Sequence, residues 1–331
     1  MSRGRHWESP VLQSVLPVIE SSRFVRTNTT KIDEVAQWMA YEEFAPPVGV
    51  QIFDIGNDPK VIMDHTMVVN ILNFAFTDFN TGQKFETEYQ GRIWSDSEAM
   101  VACMHRAIKE GVPFLDGYYL SEITKTDLAG IFKGSIEIPM LDERIACLHE
   151  VGRTLAERYD GKWHNFILDC SPRLFDQGNG VLERLSYEFP RFHDVSNYKG
   201  QQVQIFKLAQ LGLWTLHLHL GHTGFWALKD ADQFTAFADY IVPVAFKVMG
   251  IFEYETSLEN RINKLVEIPR DSDEEIEIRA HSLYAAALLT DALNERRSGL
   301  PPLVVPQVDY RLWKTYHATH HAHHLTKTIM Y

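Results

Sequence analysis

The stretch "SDEEIEIRAHSLYAAALLTDALNERRSG", residues 272–299, decides the fold class. Ser272 and Glu275 stand at capping-box spacing, acidic residues crowd the first turn, and Arg296 and Arg297 precede Gly299 at the other end. These are start and stop signals of a long helix whose macrodipole is matched at both ends. Working outward, "MLDERIACLHEVGRTLAERYDG" (140–161) places Leu141, Ile145, Leu148, Val151 and Leu155 on one stripe of a second helix. "KIDEVAQWMAYEEF" (31–44) repeats the pattern at Ile32, Val35, Trp38 and Met39. "SDSEAMVACMHRAIKEG" (95–111) reads as a helix opened by Ser95, with Glu98 at capping-box spacing and Gly111 past its end. Only "QKFETEYQGRIW" (83–94) alternates, around a Gln-Gly turn, and predicts a small hairpin. The fold class is therefore mainly α.

The chain has 331 residues, 45% of them hydrophobic, enough for one large globular domain. No repeat or low-complexity linker divides it, so residues 1–331 are read as one domain with an N-terminal lobe of about 1–135 and a C-terminal catalytic lobe of about 136–331. A net charge of −12 argues against duplex DNA or tRNA as partner and favours a small solute. Three cysteines, Cys103, Cys147 and Cys170, without CxxC spacing argue for a reducing cytoplasm rather than a disulfide framework. The apolar opening "VLQSVLPVIE" is interrupted by Gln13, Ser14 and Pro17, and no stretch reaches the roughly 18 apolar residues a membrane span needs. No GxGxxG, phosphate loop or GxSxG elbow appears, which weighs against dinucleotide oxidoreductases and serine hydrolases.

Several residues carry chemistry. "QFTAFADYIVPVAFKVMG" (233–250) sets a single carboxylate, Asp239, in an aromatic and aliphatic run. Pro243 and Gly250 bracket a helix over Tyr240 to Met249, with Asp239 as its N-cap, where free N–H groups would hold the carboxylate ionised. A structural cap and a catalytic acid both fit that pattern. In "QVQIFKLAQLGLWTLHLHLG" (202–221) the residues Gln204, Lys207, Gln210, Trp214 and His217 form a polar stripe on a buried helix, and Lys207 either snorkels, pairs with an acid or binds an anion. Asp309 and Tyr310 in "VDYRLW" combine an acid with an aromatic face, suited to a nitrogenous base or to a docked tail. His317, His320, His321 and His324 fall at i, i+3, i+4 and i+7, a helical face that could hold a divalent metal; His193–Asp194 and Asp64–His65 are weaker hints of a metal phosphohydrolase.

Four motifs in order, "FHDVSNYKGQQVQIFKLAQ" (192–210), "FTAFADYIVP" (234–243), "EEIEIRAHSL" (274–283) and "VDYRLW" (308–313), resemble the queuosine 5′-phosphate N-glycosidases of the queuosine salvage family. "ILNFAF" and "AIKEGVPFLDGYYLSEIT" are similar to it as well, so that the likeness runs from about Asn70 to Tyr331. The resemblance implies a mainly helical enzyme, related in architecture to DNA glycosylases, that hydrolyses queuosine 5′-monophosphate to free queuine without metal or cofactor. It carries the catalytic carboxylate onto Asp239 and base-pocket contacts onto Phe237, Thr235, Asp309 and Tyr310. Lys207 falls near the ribose phosphate. A cytoplasmic monomer is expected. The chain departs from the family pattern at Leu208 and Ile241, where arginines are usual, at Thr77 for tryptophan, and at Lys314 for an acid. Those departures keep a non-catalytic binder of modified nucleosides in view as an alternative.

Overall fold

The structure, a computed structural model, describes residues 3–44, 53–317, 319 and 321–331. The described residues are mainly helical, with three short antiparallel strand pairs. They form two compact units, each assembled from separated stretches of chain: residues 1–48, 194–210 and 230–327 make one, and 49–193, 211–229 and 328–331 the other.

The first unit is built around the helix Asp273–Arg296, about 36 Å long at 1.5 Å per residue. Ser272 Oγ accepts from Glu275 N at 3.3 Å, while the Glu275 carboxylate turns to Asp271 N at 3.2 Å. Nearly every face of this helix is buried, and Ala280, Ala285, Ala286 and Ala287 keep it slim enough for neighbours to approach on several sides. Helices Pro10–Ser21, Thr29–Met39, Val242–Val248 and Val305–Tyr316 pack against it. Its buried acids are matched by backbone donors: Glu277 accepts from the N–H groups of Arg23, Phe24 and Val25 and from the Tyr198 hydroxyl, and Asp291 from Gly4 N and Trp7 Nε1. In Thr29–Met39 the buried stripe is Ile32, Val35, Ala36 and Met39. Trp38 lies 49% exposed, because Ala36 rather than Trp38 completes the inward face.

Two strand pairs belong to this unit. Val25–Thr27 pairs with Phe252–Tyr254. Val195–Tyr198 pairs with Gln201–Gln204 through a tight turn in which Lys199 and Gly200 both have positive φ. Gln204 is therefore a strand residue and not part of the helical polar stripe, since the helix begins at Lys207. The C-terminal segment docks here too: Leu325 O accepts from Ile268 N at 2.8 Å.

The second unit holds the expected hairpin, Glu86–Tyr89 with Arg92–Ser95, turned by Gln90 and Gly91 at positive φ. Asp96–Lys109 follows, although its N-cap Ser95 makes no side-chain cap bond. In Leu141–Arg158 the buried stripe includes Arg144, with Ile145 only partly covered. The Arg144 guanidinium is committed to carbonyls at and just past the end of the helix Pro59–Leu72, at Leu72 O (2.5 Å), Phe74 O and Ala75 O (2.6 Å). Gly152 lets Leu141–Arg158 touch Gly117–Glu122, since a Cβ there would collide with the backbone at Ser121 N. Trp163, Phe166, Phe189 and Phe192 form an aromatic core with centroids 4.5–5.8 Å apart.

Candidate active site

All six residues singled out for binding or catalysis lie in the first unit. The helix after Asp239 runs over Val242–Val248, two residues later than the predicted start, because Ile241 occupies the N-cap position. Asp239 still holds the unpaired donors of that end: its Oδ1 accepts from Ile241 N at 2.8 Å and Val242 N at 3.1 Å. Asp239 is buried, at 8% exposure.

Asp309 sits on Val305–Tyr316, 4% exposed, and its Oδ2 accepts from Phe237 N at 2.9 Å. That bond ties the C-terminal acid to the segment carrying Asp239, two residues on. Burial pushes the Asp309 carboxyl up to about 8, with the Asp239 charge adding to the push; the Phe237 N–H and Lys207 act in the other direction without prevailing. Near neutral pH it is accordingly a neutral acid in the free protein.

Lys207 opens the helix Lys207–Gly221, buried at 7% exposure. Burial lowers its ammonium below the ordinary lysine value, opposed first by Asp239 and then by Asp309. The ammonium feels both carboxylates, yet among the described residues it makes no ion pair and no side-chain hydrogen bond. A buried cation left without a direct partner is costly in the absence of ligand. Thr235 is engaged internally: it exchanges hydrogen bonds with the fully buried Gln210 side chain, through Thr235 N to Gln210 Oε1 (3.1 Å) and Gln210 Nε2 to Thr235 Oγ1 (2.9 Å). Phe237 is 6% exposed, and half-buried Tyr310 stacks on Trp313, which stacks in turn on His317.

Arg279, which no local pattern gave a reason to single out, completes the cluster with Asp194. Arg279 forks onto Asp194, with Nη1 to Oδ1 at 2.9 Å and Nη2 to Oδ2 at 2.7 Å. Burial alone would raise the Asp194 carboxyl; the Arg279 guanidinium outweighs it and holds that carboxyl below its ordinary value. Gln210 and Arg279 stood inside quoted motifs, and only their polarity on otherwise apolar helices marked them.

Several residues read as metal ligands are separated or otherwise committed in the structure. Val305–Tyr316 ends before His317, His321 and His324 lie in non-helical chain ahead of the Glu267–Leu325 bridge, and so these residues do not share a helical face; His320 lies outside the described residues. His324 is buried, and burial drives its imidazole down to about 3. Asp194 is committed to Arg279, and Asp64 accepts from His164 N and Nδ1 at 2.8 and 2.9 Å. His217 Nδ1 accepts from Leu228 N, a structural use of the stripe residue. A separate recess of about 200 Å³ lies beside Tyr240, lined by Lys247, Tyr254, Glu259 and His323, but Lys247 is already paired with Glu259 at 2.7 Å. Two of the positions that depart from the family pattern, Leu208 and Ile241, are buried apolar residues at 2% and 8% exposure.

The unit is mainly helical and gathers a buried acid at a helix start, a second acid kept neutral and a buried lysine, a cluster of coupled ionisable groups of the class found in enzymes. The comparison with known families is specific. Residues 54–331 match the queuosine salvage protein family, and the chain belongs to it. A protein of Sphaerobacter thermophilus named queuosine 5′-phosphate N-glycosylase/hydrolase is 32% identical over 97% of both chains. Proteins of the same name from Schizosaccharomyces pombe and Bos taurus are 27% and 24% identical, covering 92% and 89% of this chain and 90% and 89% of their own.

Proposed function

We propose that this protein hydrolyses the N-glycosidic bond of queuosine 5′-monophosphate, giving queuine and ribose 5-phosphate, as a single queuosine-salvage domain. The observation that carries the reading is Asp239, buried beside Lys207 and Asp309 with one oxygen anchored by two backbone N–H groups. Cleavage of the bond builds positive charge on the ribose, so a carboxylate beneath the sugar stabilises the transition state and orients the attacking water. The water's oxygen bonds to the anomeric carbon and one of its protons is lost toward Asp239 or solvent, while the electron pair of the broken bond leaves with the base, whose ring nitrogen takes up one proton from solvent, so that one water yields queuine and ribose 5-phosphate. Queuine lacks the purine N7, so the pocket stabilises the departing base through its guanine-like edge. Asp309 faces that edge, its proton passing to solvent as it accepts the amide and amino N–H groups, with Phe237 and Tyr310 against the base and Thr235 beside them. Lys207, whose ammonium has no direct partner among the described residues, meets the ribose phosphate.

The reaction needs no metal and no cofactor in this scheme. Among the described residues no helix is long and apolar enough to cross a membrane, and the acidic charge and free cysteines suit a cytoplasmic monomer acting on a small nucleotide rather than on polymeric nucleic acid. The test is direct: purified, chelator-treated protein is incubated with queuosine 5′-monophosphate and free queuine is measured chromatographically. No release at any pH from 5 to 8 sinks the reading, and tight binding without release would leave a nucleoside-sequestering protein in its place.

A further inference from the structure

Arg279 stands on the central helix, 1% exposed, and its guanidinium meets Asp194, the Ala238 carbonyl and Glu275, whose Oε1 lies 3.7 Å from Nη1. Nη1 and Nη2 grip Asp194, and Nε donates to the carbonyl of Ala238 at 3.3 Å. Ala238 immediately precedes Asp239. Asp194 Oδ2 also accepts from Lys207 N at 3.1 Å, and the Asp194 carbonyl accepts from Ile205 N and Phe206 N at 3.0 and 3.3 Å. One guanidinium therefore fixes the peptide that aims Asp239 and, through Asp194, the first residue of the helix that carries Lys207. A buried ion pair is a poor source of net stability, because removing two charges from water offsets most of their attraction. Its geometric role explains its presence better. Only arginine can do this, since the planar fork reaches a carboxylate with two nitrogens while a third points elsewhere.

We propose that Arg279 and Asp194 are positioning residues for the glycosidic reaction, locking Asp239 and Lys207 into one frame by hydrogen bonds to the Ala238 carbonyl and the Lys207 N–H. The proposal rests on the N-glycosidase reading. Misplacing a reacting group by about 1 Å can cost on the order of 100-fold in rate, so the effect belongs in kcat.

The experiment uses the full chain in three forms: wild type, Arg279→Lys, and the apolar double variant Asp194→Leu with Arg279→Met. Replacing a buried ion pair by apolar groups is often neutral for stability, and Glu275 keeps its bond from Asp271 N in the double variant, which therefore separates folding from positioning. Each is assayed for queuine release well below its own melting temperature. Both variants are expected to fold, with kcat down about 100-fold and any rise in KM below the about 10-fold expected for losing Lys207 itself, and the double variant is expected to be no slower than roughly the single one, as for residues acting as a unit. A folded variant with kcat within about 3-fold of wild type, or a loss confined to KM, overturns the proposal. If neither variant folds, the pair belongs to folding and the proposal fails as well. A wild-type protein that releases no queuine fails the glycosidase reading itself, which is a different result from active wild type beside active variants.

Discussion

Substituting Asp239 by asparagine removes charge while keeping shape. The side-chain amide oxygen in D239N can still accept from Ile241 N and Val242 N, now 2.8 and 3.1 Å from Asp239 Oδ1, so the start of Val242–Val248 is retained. Removing a preorganised electrostatic partner of a transition state costs about 10²–10³ in rate, and the lost partner here carries a full charge, so kcat should fall at least about 10³-fold, roughly 4 kcal/mol. A second effect follows from the neighbour. After burial, Asp239 is the main influence holding the Asp309 carboxyl up at about 8. A carboxyl at that value is ionised in about one molecule in ten at pH 7, so a base that needs it as an acceptor binds roughly 10-fold more weakly at pH 7 than above pH 8. Wild-type affinity for queuine should therefore climb as pH rises from 6 to 8. In D239N the repulsion is gone, Asp309 ionises at lower pH, affinity at pH 7 rises by up to about 10-fold and its pH dependence flattens. Queuine release measures the first effect, and calorimetric titration with queuine between pH 6 and 8.5 the second. Undiminished kcat would refute the catalytic role, and a variant that keeps the wild-type pH slope would refute the coupling of the two acids.

Asp309→Asn should weaken queuine binding by about 1–3 kcal/mol, the cost of a mismatched buried partner. The same change should stabilise the fold, since a carboxyl raised in the folded state makes stability fall as pH climbs from the ordinary carboxylate value toward about 8; thermal melts between pH 5 and 8 would show wild type losing ground to the variant. Lys207→Met should raise KM for the 5′-monophosphate about 10-fold or more and affect the free nucleoside much less; equal effects on both substrates would place the lysine elsewhere. Burial lowers His65 and His281 to about 4 and His324 to about 3, so their contribution is complete above about 6.5 and is lost as pH falls toward those values. Melting temperature should drop steeply between pH 6 and 4, and a flat profile there would contradict the burial of these rings. Treatment with chelator should leave turnover unchanged, and a loss restored by one added divalent metal would reject the metal-free scheme.

The sequence carried the helices wherever local signals agreed. Ser272 with Glu275, and the Gln90–Gly91 turn, can be read within a few residues because capping and turn chemistry are short-range. Asp239 stood out because a lone acid in an apolar run needs an explanation, and the donors of Ile241 and Val242 supply one. What escaped local reading was long-range pairing. Nothing near Asp194 announces Arg279, 85 residues away, and the bond from Phe237 N to Asp309 spans 72. Trp38 and Ile145 fitted a helical stripe in spacing but fall off its buried centre, since periodicity gives a face and packing decides its width. The histidine face failed because the helix stops at Tyr316 and Leu325 is tied to Ile268, a partner almost sixty residues upstream that no local pattern announces.

The discontinuous make-up of the first unit has a biosynthetic consequence. Residues 1–48 leave the ribosome early, but their companions at 194–210 and 230–327 follow only after most of the chain has been translated. The apolar faces of Pro10–Ser21 and Thr29–Met39 must wait, uncovered, for the Asp273–Arg296 helix to emerge. At about 5–20 residues per second that interval lasts on the order of ten seconds or more, long enough for chaperones to engage the nascent chain. A premature stop anywhere before Arg279 would release a polypeptide that has its opening helices and no partner to close over them.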